Sequence, residues 1–289
     1  MRFSFAESMC DPDHYVPLAL AAERCGYTSF SIPDSICYPE KSDSKYPYSP
    51  DGDREFLDGR PFIDPFVLAA TLGAVTKTLR FTTFVVKLPI RQPVLVAKQA
   101  MSVAVMTKNR FGFGIGLSPW PEDFDVCEQS WEGRGERMDE MIEILRGLET
   151  GEFFGFEGKR FKLQRIKMSP APTQRIPILI GGHADPALRR AARLGDGWMH
   201  AGGDAVELER LIGRVRALRR EYGRADEAFE IHVISMDGFT IDGVKRLEDQ
   251  GVTDVIVGFR DAYAPDTMNV DQKIAAIENF ANSVIERVR

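Results

Sequence analysis

The sequence predicts an α/β fold, a single (β/α)8 barrel (TIM barrel) spanning residues 1–289, on three observations. Eight strand-like runs can be counted, each followed by a helical run. The phrases ERCGYTSFSI, ARLGDGWMH and EDQGVTDVIV repeat one local design: a helix, a glycine stop, a strand. A length of 289 residues fits a barrel with insertions. A doubly wound open sheet is the competing architecture. Eight strands, and a GxGxG motif inside a strand instead of ahead of a helix, favour the barrel.

The elements follow in order. Arg2–Ala6 begins the first strand. Residues 15–25 are helical, with Leu18, Ala22 and Cys25 on one stripe and Gly26 as the stop. Residues 27–32 form the second strand, ending at Pro33 and Asp34. The segment 35–61 is rich in Pro, Tyr, Asp, Ser and Gly and has no period, which marks a functional or mobile loop. Asp64 caps a helix running to about Val75. Residues 80–88 read as one strand and Pro93–Met106 as a helix. In 110–117, Phe111, Phe113, Ile115 and Leu117 fall on one face and Gly112, Gly114 and Gly116 on the other. An irregular excursion, 118–133, carries Trp120, Trp131, Glu122, Asp123 and Asp125. Residues 136–148 form an amphipathic helix, and 151–163 an aromatic hairpin insertion before the fifth strand.

Residues 176–200, IPILIGGHADPALRRAARLGDGWMH, hold the densest pattern. The apolar strand 178–180 runs into Gly181 and Gly182. A helix follows, with Asp185 as N-cap, Pro186 at the first helical position and Gly195 just past the end. A second strand starts at Gly197 and Trp198. The two glycines are either a tight turn or a backbone cradle for an anion at a helix start. Beyond it, Asp204 and Glu207 suggest a capping box, 229–234 a strand, 242–250 a helix closed by Gly251, 254–258 the last strand and 274–284 the last helix face.

Composition bounds the partners. The net charge of −6 argues against nucleic acid, and no apolar run approaches a membrane span of ~20 residues. Without a leader-like start and with Cys10, Cys25, Cys37 and Cys127 in no paired spacing, the expectation is a cytoplasmic protein with reduced thiols. The aromatic hairpin suggests a surface that pairs two copies, so a homodimer is expected.

In a barrel, chemistry sits at the C-terminal strand ends. Those ends carry Asp34, Phe84 to Lys87, Gly116 to Ser118, Gly181 to His183 and Trp198 to His200. The loops 35–61 and 118–133 leave from the same rim and would wall or cover the centre. His183 and His200 end consecutive strands, a placement that metal-dependent hydrolases use, but further ligands are lacking and no metal is expected. Ser35 and Ser118 belong to no Ser/His/Asp arrangement that the sequence can support. Arg189, Arg190 and Arg193 read as the solvated face of a helix.

Four stretches carry a family resemblance. LRFTTFVVKLPIRQPVLVAKQAMSV, NRFGFGIGLSPW, GRGERMDEMIEILRGL and IPILIGGHADPALRRAARLGDGW resemble the third strand through the sixth strand of the luciferase-like monooxygenase superfamily, and SIPDSI fits its second strand end. The flavour is that of bacterial oxidoreductases using the deazaflavin coenzyme F420. The resemblance implies F420, with FMN as the alternative, and a small-molecule substrate under the two loops. It implies that Asp34 lies near the pyrimidine side of the ring and is the catalytic candidate. Phe84–Val85 would form a bulge with a non-proline cis peptide behind the ring. Gly181, Gly182 and His183 would take the phosphate side, flanked by Trp198 and His200. Gly116 completes the cofactor-binding set. Some deazaflavin dehydrogenases have His after the Asp and Glu after the fourth strand; here Ser35 and Pro119 stand there. The reading is a redox enzyme. A metal-dependent hydrolase and a non-catalytic flavin-binding protein are its rivals.

Overall fold

Short apolar strands alternate with helices around a closed ring. The computed structural model describes residues 1–42, 44–46, 52 and 54–288. The first half of the chain gives β1 (Arg2–Ala6), α1 (Tyr15–Arg24), β2 (Ser29–Ile32), α2 (Pro65–Val75), β3 (Arg80–Thr83), β4 (Val86–Lys87), α3 (Pro93–Met106), β5 (Phe111–Gly116), α4 (Pro121–Val126) and α5 (Arg134–Leu148). The second half gives β6 (Phe154–Glu157), β7 (Lys162–Ile166), β8 (Ile178–Gly181), α6 (Asp185–Leu194), β9 (Gly197–His200), α7 (Ala205–Glu221), β10 (Glu230–Val233), α8 (Ile241–Asp249), β11 (Asp254–Val257) and α9 (Val270–Phe280). The sheet runs β3-β2-β1-β11-β10-β9-β8-β5-β4, and a β3–β5 pairing closes it. Both β3 and β4 pair with β5, so they are two pieces of one position in an eight-position parallel barrel.

The break between them corrects the single strand expected over 80–88. The Phe84–Val85 peptide is cis, and the ladder is interrupted there. Two smaller expectations also shift. Ala184, not Asp185, stands at the N-cap position of α6, which has no side-chain cap; Asp185 is its first residue, where its carboxylate bonds Arg189 and Arg214. Asp204 caps α7 by accepting from the Glu207 N–H at 2.8 Å, but the Glu207 carboxylate turns to Arg210 instead of closing the box.

Alternation along the strands sorts the interior. Phe3 and Phe5 face outward onto Phe280, Tyr27 and Phe30, while Ser4 faces inward and bonds Asp254. The barrel floor is ionic: Arg2 and Arg80 both reach Glu230, which also meets His232. Burial alone would raise the Glu230 carboxyl, but the His232 hydrogen bond and the two arginines hold it far below the usual range. This floor lies at the N-terminal ends of the strands, the end of a barrel that serves stability and not chemistry.

The aromatic hairpin folds onto its own barrel. Phe154 lies over Gly147, and the guanidinium of Arg137 stands 4.8 Å from the Phe161 ring. The Glu140 carboxylate accepts from the backbone N–H groups of Lys159, Arg160 and Phe161. Phe153 is the hairpin ring left exposed. Arg190, read as solvated, is buried against Asp139 and the Gly135 carbonyl, because α6 packs on α5 there. Among the described residues no helix is long and apolar enough to cross a membrane.

Candidate active site at the barrel mouth

Strand β5 presents a wall of glycines, and the broken third position fills the space they leave. Thr83 Oγ1 donates to the Gly114 carbonyl at 2.7 Å. A Cβ at Gly114 would lie 1.8 Å from the Thr83 carbonyl oxygen, so only glycine admits this approach. Val85 then seats its two methyl groups over Gly116 and Gly181, where added Cβ atoms would meet them at 2.8 and 2.9 Å. Leu179, Met199 and Ile256 form a buried cluster distinct from the main core, with Ala6, Phe84 and Val85 packed against it. The mouth therefore has an apolar floor with the 84–85 bulge on one side.

Asp34 stands beside that bulge. Its carboxylate accepts from the Lys87 N–H at 2.9 Å and from Arg91 Nη2 at 2.8 Å, and its side chain is 1% exposed. In this geometry the carboxylate faces Arg91 and the backbone of β4 instead of the open mouth.

The strand ends β8 and β9 come together as the sequence suggested. Gly182 adopts φ 125°, and Trp198 Nε1 donates to its carbonyl at 2.8 Å. The His183 and His200 rings stack with centroids 4.5 Å apart and an angle of 15° between planes. His183 Nε2 accepts from the Ala201 N–H at 3.1 Å, and His200 Nδ1 accepts from the Gly202 N–H at 3.3 Å. Burial, and then the neighbouring His183, push the His200 imidazole down to about 4; burial also lowers His183. Both rings are thus neutral near pH 7. They stack instead of converging on a shared ion, and among the described residues no group of three or more His, Cys, Asp or Glu could hold a metal.

The two long loops meet over the mouth. Residues 43, 47–51 and 53 of the first lie outside the described residues. Tyr46 stacks on Trp120 at 5.1 Å, and the guanidinium of Arg54 covers the Trp120 ring at 3.8 Å. Glu122 ties them together by accepting from Ser42 and Ser44. Phe56 and Tyr263 pack edge to face at 4.9 Å. Below this cover Lys87 reaches Asp123 at 2.6 Å. Sequence reasoning missed that pair. The signal was there: Lys87 ends a buried strand at an inward alternation.

A family model for the luciferase-like monooxygenases matches residues 5–237. The chain belongs to that family. As a luciferase-like family member it has an uncharacterized relative in Mycobacterium tuberculosis, 62% identical over 290 residues and covering all of both chains. The F420-dependent glucose-6-phosphate dehydrogenase of Gordonia bronchialis is 27% identical over 246 residues, 81% of this chain and 68% of that one. Among solved structures, a monooxygenase from Streptomyces bottropensis superposes with TM-score 0.78 at 18% identity, covering all of both chains. The F420-dependent tetrahydromethanopterin reductase of Methanopyrus kandleri gives 0.77 at 14% identity, covering 100% of this chain and 99% of that one. These two structural likenesses carry the (β/α)8 fold. Membership in the family makes the protein one of the luciferase-like oxidoreductases.

Proposed function

We propose that this luciferase-like protein is an F420-dependent oxidoreductase acting on a small organic substrate. One observation carries the reading: an apolar floor and a glycine turn with positive φ share one rim of the barrel. A flat ring suits the floor, and an anionic tail suits the backbone of the turn. Gly182 admits no side chain, since an added Cβ would stand 2.9 Å from Ala187 Cβ at a φ of 125°, so the backbone of the turn stays bare for an anion. The F420-dependent Gordonia relative favours the deazaflavin over FMN.

A bound deazaflavin would supply the hydride carrier. The chain's own residues bind and shield it. Val85 backs the ring from the bulge. Asp34 acts as a positioning residue, because its bonds to Arg91 and to the Lys87 N–H hold that bulge in place. Gly181, Gly182 and His183 take the phosphate side, with Trp198 and His200 fixing the turn from β9. Leu179, Met199 and Ile256 exclude water beneath, and the aromatic cover excludes it above.

The test is a fluorescence titration of the protein against F420 and FMN separately. Saturable binding of F420, tighter than FMN, is expected. Tighter FMN binding would turn the reading to a flavin enzyme, and binding of neither would overturn it.

A further inference from the structure

Lys87 and Asp123 form a buried pair with unused bonding capacity. Their Nζ and Oδ2 atoms stand 2.6 Å apart, with side chains 8% and 1% exposed. Ser118 Oγ donates to the same oxygen, at the end of β5. Asp123 Oδ1 is buried and meets no donor among the described residues. An ammonium carries three N–H donors, and Asp123 engages one of them. Buried polar groups are nearly always satisfied, so spare donors beside a spare acceptor call for an explanation. A tie between β4 and α4 is a poor one, since two apolar side chains would hold those elements as well.

Position supplies a better explanation. Val86 lies in the main core, so alternation turns Lys87 to the other side, towards the mouth. Its own N–H is held by Asp34, two residues beyond Val85. Val85, two residues before Lys87, packs on the apolar cluster of Leu179, Met199 and Ile256.

We propose that Lys87 and Asp123 are the polar anchor of the substrate site. Lys87 donates to a carbonyl or hydroxyl oxygen, and Asp123 Oδ1 accepts from a hydroxyl. Together the pair is uncharged, and the cluster on which Val85 packs is apolar. The site therefore takes a neutral molecule with one oxygen function on an apolar body, and it rejects the matching hydrocarbon. This rests on the proposed redox reading only for its place over the cofactor site.

The probes are 1-phenylethanol, acetophenone and ethylbenzene, with binding followed by saturation-transfer NMR and calorimetry. The wild type is expected to favour the two oxygenated probes over ethylbenzene. Lys87→Met and Asp123→Leu each strand a buried charge and are expected to unfold more readily. The double variant Lys87→Met/Asp123→Leu removes both charges and is expected to fold. It should lose at least about tenfold in affinity for the oxygenated probes and none for ethylbenzene. A folded double variant that keeps the oxygen preference, or a wild type that lacks it, would overturn the proposal. Cofactor titration of the same double variant keeps the two readings apart. Failure to bind F420 or FMN in every form strikes the redox reading, while loss of oxygen preference reports only on this pair.

Discussion

The indole Nε1 of Trp198 donates to the carbonyl oxygen of Gly182 at 2.8 Å, joining the ends of β8 and β9. That bond fixes the turn whose φ is 125°. Gly182→Val adds a β-branched side chain in a region costing about 1–3 kcal/mol, with Ala187 in the way. Cofactor affinity is expected to fall by about tenfold or more, beyond the loss of stability. Trp198→Phe keeps the backbone but shrinks a fully buried ring and leaves the Gly182 carbonyl without its donor, so a loss of about 2–3 kcal/mol of stability is expected. Calorimetric titration beside thermal unfolding separates the two effects. Unchanged affinity in a folded Gly182→Val protein would reduce the Gly-Gly pair to a tight turn.

The barrel was legible because its signals are local. Gly26, Gly195 and Gly251 each sit between a helix and the next strand, and the strand limits follow within a residue or two. The site was legible only in part. Asp34, Gly181, Gly182, His183, Trp198 and His200 sit on strand ends, so a strand count locates them. What those residues bond to is a long-range matter. Asp34 finds Arg91, 57 residues away, and Lys87 finds Asp123 across two elements. Neither pairing leaves a periodicity. The break at 84–85 is silent in composition too, because TTFVVKL reads as continuous strand; only the family resemblance marked it. The hairpin misled because three of its four rings face α5.

The glycine wall makes a sharp contrast between two alanine substitutions. At Gly114 a Cβ would stand 1.8 Å from the Thr83 carbonyl oxygen, whereas at Gly213, within α7, nothing lies within 4 Å. Gly114→Ala is expected to cost at least about 3 kcal/mol, since backbone must move in a packed wall. Gly213→Ala is expected to stabilise by about 0.5–1 kcal/mol through helix propensity. Urea denaturation of both variants checks the pair. A stable Gly114→Ala protein would contradict the close approach.

The Asp34–Arg91 pair has one side chain 1% and the other 16% exposed. Breaking such a pair from one side costs about 3–5 kcal/mol when fully buried, and less here because Arg91 is partly wet. Asp34→Asn is expected to lose about 2 kcal/mol and to weaken cofactor binding through the bulge. If Asp34 instead served as the proton carrier, Asp34→Asn would abolish turnover with affinity and stability intact. Denaturation and titration of one variant decide between these outcomes.

Assembly is predicted from α2 instead of the hairpin. The helix PFVLAATLGAV has no charged residue, yet Val67 is 58% exposed, and on the adjoining α3 Leu95 is 65% and Met106 69% exposed. A helix apolar on all sides is normally covered. A second copy across a two-fold axis is the simplest cover. We expect a homodimer by light scattering, and Val67→Glu/Leu95→Glu to yield folded monomer. A wild-type mass equal to one chain across a wide concentration range would reject it.

The stacked histidines give the stability of the protein an acid limb. Burial, then His183, depress the His200 imidazole to about 4, partly offset by the Ile234 backbone, while an unfolded histidine titrates near 6.5. Between those values the unfolded chain binds a proton at this position and the folded chain does not. Stability therefore rises with pH across that window, and the His200 contribution is complete above about 6.5. Acidification from there towards 4 should remove up to about 3 kcal/mol through this one group, at 1.36 kcal/mol per unit. His183 is lowered as well, and one imidazolium opposes a second 4.5 Å away, so the two titrate as a pair. His200→Phe keeps an aromatic ring on His183 and removes the proton site. Other carboxylates destabilise both proteins alike on the acid side, so the informative quantity is the difference between them. Urea unfolding of wild type and His200→Phe at several pH values from 7 to 4.5 measures it. The wild type should lose more stability than the variant, with most of the gap opening below pH 6. Parallel acid limbs would mean that His200 titrates normally, and its depression by burial and by His183 would then be wrong.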